Sequence, residues 1–130
     1  MSYDLRIWEH PAHLPMPTTL EEAGKIMLAL EGTKAPINPR FIELARQSVA
    51  HYPSQADDID NAVWAGDPVH ETQTCDEAVY AISLLYTKRM GIMRLVVDTA
   101  MALGLTVFDD QIGMAFLPSG EVLPKEQSVS

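Results

Sequence analysis

The chain has 130 residues, enough for one compact domain and too few for two ordinary ones. Apolar residues at 47% and charged residues at 21% match a folded globular chain and exclude a disordered one. Nine Lys and Arg against 18 Asp and Glu leave a net charge of −9, which argues against direct binding to nucleic acid or to an anionic membrane surface.

The N-terminal stretch Met1 to Pro17 has no apolar core behind a basic start, so no secretory signal is expected. Ser2 to Glu9 alternates, with Tyr3, Leu5 and Ile7 on one side and Asp4, Arg6 and Trp8 on the other, which reads as a half-buried strand. Three prolines between Pro11 and Pro17 make the next segment loop. Thr18 and Thr19 stand three residues ahead of Glu21 and Glu22, a doubled capping box. Leu20, Ala23, Met27 and Leu30 follow at helical spacing and Gly32 supplies the stop. Asn38-Pro39 opens a second helix: Asn38 caps, Pro39 fits the first turn, and Ile37 can staple to Ile42. Phe41, Leu44, Ala45, Ser48, Val49 and Tyr52 line one face of it, up to Pro53.

From Pro53 to Cys75 the chain is acidic and without regular period, its large apolar groups being Ile59, Val63, Trp64 and Val69, with a short strand expected near Ala62 to Ala65. Cys75, the single cysteine, rules out an internal disulfide and fits a reducing compartment. Ala78 to Thr87 is almost wholly apolar. Its β-branched and aromatic content favours a strand, the alternative being one long helix from Asp76 to Leu103. Met90 to Leu103 is helical on either reading, with Ile92, Leu95, Val96, Thr99, Ala100 and Leu103 in one stripe before Gly104. Leu105 to Phe108 and Met114 to Leu117 read as two strands around a turn, and a polar tail follows Pro118. The whole is one domain, with a folded core over 1–118 and a tail over 119–130. No apolar stretch reaches the ~20 residues that span a bilayer. The expected class is α+β: a split β-α-β, ferredoxin-like sandwich with one mainly antiparallel sheet and helices on one face.

The acid distribution is the most informative chemical feature. Between Arg46 and Lys88 there is no Lys or Arg, yet Asp57, Asp58, Asp60, Asp67, Glu71, Asp76 and Glu77 all lie there. Such a run is either a solvated loop or a docking face that steers a basic partner. Trp64 in its midst is either a core anchor or an interface hot spot. Asp57-Asp58-x-Asp60 superficially matches a calcium loop, but Ala62 or Val63 replaces the glycine needed at position six and Pro68 or Val69 the closing Glu. His10-x-x-His13 is interrupted by Pro11, and neither His70 nor Cys75 has a second ligand at zinc spacing, so no metal is expected. There is no nucleophile elbow, phosphate loop or H-E-x-x-H. Asp109-Asp110 would be paired carboxylates for acid–base work only if both faced one substrate, which adjacent strand residues do not, so the pair reads as a turn start with Gly113. No catalytic residue and no cofactor is expected.

Three stretches together carry a resemblance. They are the opening Met1-Ser2-Tyr3-Asp4-Leu5-Arg6-Ile7-Trp8, the Phe41…Leu44…Tyr52-Pro53 pattern, and Ala102 to Gln111 with Pro118 and Gly120 beyond, about a third of the chain. The chain resembles small bacterial immunity proteins of polymorphic toxin systems, including contact-dependent growth inhibition. The resemblance implies a stoichiometric, non-catalytic inhibitor in the cytoplasm of the producing cell, bound to a cognate toxin domain that is often a nuclease. Combined with the acid run, it points to Asp57, Asp58, Asp60, Trp64, Asp67, Glu71, Asp76 and Glu77 as the partner-binding set. Two other classes stay open: an interaction module with a different protein partner, self-association included, and a small enzyme or ligand-binding domain.

Overall fold

Strand β1 (Ser2–Trp8) is the element on which the sheet is assembled. In the computed structural model, which describes residues 2–52, 63–85 and 89–124, it is paired along both edges. On one side β2 (Val79–Leu85) runs antiparallel to its whole length, from Ser2 opposite Leu85 to Trp8 opposite Val79. On the other, β3 (Thr106–Asp109) pairs antiparallel from Arg6 opposite Phe108 to Trp8 opposite Thr106. β4 (Met114–Phe116) and β5 (Val122–Leu123) extend the sheet to the order β2-β1-β3-β4-β5, antiparallel throughout.

The apolar run after Ala78 is therefore a strand, not the start of a long helix. Val79, Tyr80, Ile82 and Leu84 are buried while Ala81 is exposed, and a helix, α4 (Arg89–Ala102), begins only afterwards. The α+β class with one antiparallel sheet holds, but the strand order differs from a split β-α-β unit. In that unit a third strand lies between the two strands joined by the helical crossover. Here β1 and β2 are direct antiparallel neighbours, and the whole helical excursion from Glu9 to Ala78 leaves and returns to adjacent positions.

The alternation of β1 divides the core. Tyr3, Leu5 and Ile7 join Tyr80, Ile82, Leu84 and Val107, and on this face lie Phe41 and Leu44 of α2 (Pro39–His51) and Ile92, Val96 and Ala100 of α4. Trp8, of opposite parity, packs instead with Val79, Phe108, Ala115 and Leu123, over which α1 (Leu20–Leu30) lays Ala23 and Met27. Thus α2 and α4 share a face, as expected, and α1 covers residues of the other parity. Both helix starts follow the sequence signals. Thr19 Oγ1 accepts the Glu22 N–H at 3.1 Å, and the Glu22 carboxylate accepts the Thr18 N–H at 3.1 Å. Asn38 Oδ1 accepts the Arg40 N–H at 2.9 Å ahead of Pro39 in the first turn.

Two segments depart from the expected pattern. The polar stretch after Pro118 contains β5, whose Leu123 is fully buried beside Trp8 and Phe108. Two apolar residues among polar ones are too few to show a period, so β4 and the second core recruit a strand that alternation alone does not reveal. Residues 125–130 of the expected tail lie outside the described residues. The second departure, a helix within the acidic stretch, belongs to the site below.

The β3–β4 hairpin is tied to the first strand by a buried polar contact. Asp109 is 0% exposed, and its Oδ1 accepts the Gln111 N–H at 3.0 Å and the Ile112 N–H at 3.4 Å. The Tyr3 hydroxyl donates to Oδ2 from the far end of the sequence. Asp110, the first turn residue beyond β3, is exposed and pairs with Arg6 at 3.4 Å, and Gly113 takes the left-handed conformation (φ 67°) that closes the turn. Tyr3→Phe keeps the ring in the core and removes one donor from a buried carboxylate. It should cost about 1.5–3 kcal/mol, read as a lower urea midpoint at unchanged m-value. An unaltered midpoint would show that the contact does not tie the hairpin to β1.

Candidate functional site

Of the eight residues in the expected binding set, Asp57, Asp58 and Asp60 lie outside the described residues. The other five can be placed, and each has a local structural task.

Trp64 is a core residue. It is 5% exposed, its ring belongs to the cluster built on Tyr3, Leu5 and Ile7, and its Nε1–H donates to the Tyr52 carbonyl. Its backbone forms the β-bridge to Leu84, flanked by Ala65 N–H to Ser83 carbonyl at 3.0 Å and Leu85 N–H to Val63 carbonyl at 2.9 Å. The short strand expected near Ala62 to Ala65 is thus a single bridge that covers part of the outer edge of β2. The expectation of a partner-contacting Trp64 is corrected. An indole with its nitrogen satisfied and its ring enclosed serves folding, not docking.

Asp67 opens α3 (Pro68–Thr74), a helix inside the stretch expected to be irregular. Its Oδ1 accepts the His70 N–H at 3.4 Å and Pro68 occupies the first turn, the same Asx-Pro start that opens α2. That signal was legible in the sequence, but a seven-residue helix is too short to display an apolar stripe. Its inward face is small, with Pro68 and Thr72 buried, and the Thr72 hydroxyl donates to the Pro68 carbonyl at 2.8 Å.

Glu71, on α3, reaches the sheet: its Oε1 accepts the Tyr80 hydroxyl at 2.8 Å. The carboxylate lies so close over Gly66 that a Cβ there would stand 2.3 Å from Oε2, so glycine leaves the room this contact needs. Burial, then the hydrogen bond to Glu71 and its negative charge, push the Tyr80 hydroxyl well above the ordinary tyrosine range. Asp76 and Glu77 form the approach to β2. Asp76 pairs with Lys34 at 3.2 Å and its carbonyl accepts the Ala35 N–H at 2.9 Å. Glu77 bridges to Lys34 through the backbone, and the Ala78 N–H reaches the Thr33 carbonyl at 2.9 Å. Asp67 and Asp76 are exposed, Glu71 and Glu77 half-buried. The four therefore sit along α3 and its return to β2, with their side chains or backbone already engaged by the fold.

What the arrangement offers beyond the fold is charge. Every Lys or Arg with a described side chain is engaged by an acid. Arg6 pairs with Glu31 at 3.0 Å and with Asp110, Lys25 with Glu21 at 3.5 Å, Lys34 with Asp76, Arg40 with Glu9 at 3.6 Å, Arg46 with Glu43, and Arg94 with Asp98 at 3.7 Å. The hydrogen bond from Arg46, aided by one from Gln47, holds the Glu43 carboxyl down at about 2. Such exposed pairs add little to stability, but they leave no unpaired cation among these described side chains. The surplus of acids is then the net field of the molecule. Among the described residues no three His, Cys, Asp or Glu side chains are grouped to hold a metal ion, and no helix is long and apolar enough to cross a membrane. No family model matches the chain, and comparison with curated proteins and with solved structures found no match.

Two outcomes test these placements. Trp64→Ala should cost about 3–5 kcal/mol of stability in urea unfolding, the range for emptying an enclosed aromatic site; a loss under 1 kcal/mol would return the indole to the surface. The Tyr80 contribution is constant below about pH 10. It is lost as pH rises further, because the unfolded chain then ionises its tyrosine while the folded chain keeps the proton. The wild-type urea midpoint should therefore fall between pH 9 and 11 more steeply than that of Tyr80→Phe. Equal slopes would contradict the buried Tyr80–Glu71 pair.

Proposed function

We propose that this chain is a toxin-neutralising immunity protein, a stoichiometric inhibitor that binds a basic toxin domain, a nuclease in the first instance, in the cytoplasm of the producing cell. The observation that carries the reading is the acid excess: seven carboxylates with no Lys or Arg between Arg46 and Lys88, of whose four described members only Asp76 pairs with a described cation, Lys34, the other described cations being held by acids outside the stretch. A nuclease must be basic where it holds nucleic acid, and a protein face bearing clustered carboxylates is complementary to that groove. The resemblance of the opening strand and of the Ala102 to Gln111 segment to immunity proteins supports the same reading.

The division of labour among the acids follows from their local tasks. Asp67 caps α3, Glu71 holds Tyr80 and Asp76 is matched by Lys34, so these contribute background field. Asp57, Asp58 and Asp60 form the densest part of the run and are the residues assigned to steering. Trp64 drops out of the contact set, since its ring is committed to the core. A stable complex needs about 1,600 Å² of total buried surface, so the carboxylates govern encounter and register while apolar contacts elsewhere in the interface set the lifetime.

Replacing Asp57, Asp58 and Asp60 together by Lys tests this directly. With the toxin domain captured from producing cells, stopped-flow association should slow by about tenfold or more at low salt, and its dependence on ionic strength should flatten. The dissociation rate should change less. An association rate and salt slope equal to wild type would make the run a solvated loop and remove the basis of the proposal.

A further inference from the structure

We draw no further inference here: the strongest candidate, the open apolar cleft of about 330 Å³ between α4 and the β4–β5 end of the sheet, floored by Phe116 and Val122 and walled by Met93, Val97 and Met101, carries nothing because nothing in the structure shows what covers it.

Discussion

The constraint on which the fold depends is that β1 is paired along both edges and contributes side chains to two cores. A strand so placed has no freedom of register: a slip of one residue would move Tyr3, Leu5 and Ile7 out of the larger core and Trp8 out of the smaller. The full seven-residue pairing with β2 sets one neighbour and the Arg6 to Trp8 pairing with β3 the other. The Tyr3–Asp109 contact then joins the start of β1 to the hairpin that closes β3. Everything between β1 and β2 is a long excursion whose ends are held side by side. Of the acidic stretch, the described carboxylates Asp67, Glu71, Asp76 and Glu77 lie in the last part of that excursion, on α3 and its return to β2. Trp64 bridges to Leu84 and Lys34 bridges to Glu77.

Local signals in the sequence carried the elements with strong caps or clear periods. The capping box at Thr18 to Glu22, the Asn38-Pro39 start and the alternation of Ser2 to Glu9 all appear where the residues place them. The elements without such a signal share a cause. Helix α3 and strand β5 are too short to show a period, and both exist because tertiary neighbours receive them: Tyr80 meets α3 through Glu71, and Trp8 and Phe108 enclose Leu123. The strand order was illegible for a related reason. Antiparallel pairing of β1 with β2 depends on contacts between residues 71 to 83 positions apart, which no local pattern encodes.

The candidate site shows the difference between composition and geometry. The excess of acid was plain from the sequence, but its division was not. Asp67 looks like any surface carboxylate until the N–H of His70 is seen to point at it, and Glu71 until the Tyr80 hydroxyl is found beneath it. Trp64 among charges reads as a core anchor ahead of a hot spot, and the carbonyl of Tyr52 at its indole nitrogen decides for the anchor. Carboxylates that cap helices and receive buried hydroxyls have a task in the fold, which a count of acids does not reveal.

We propose that the excess carboxylates between Arg46 and Lys88 meet a basic protein. The most direct test is capture of the tagged protein from its producing cells at low salt, with partners identified by mass and eluted along a salt gradient. The expected recovery is one basic protein domain at equal stoichiometry, released as ionic strength rises. Recovery of the chain alone from cells that express the neighbouring genes, or of a partner that is acidic and indifferent to salt, would contradict it.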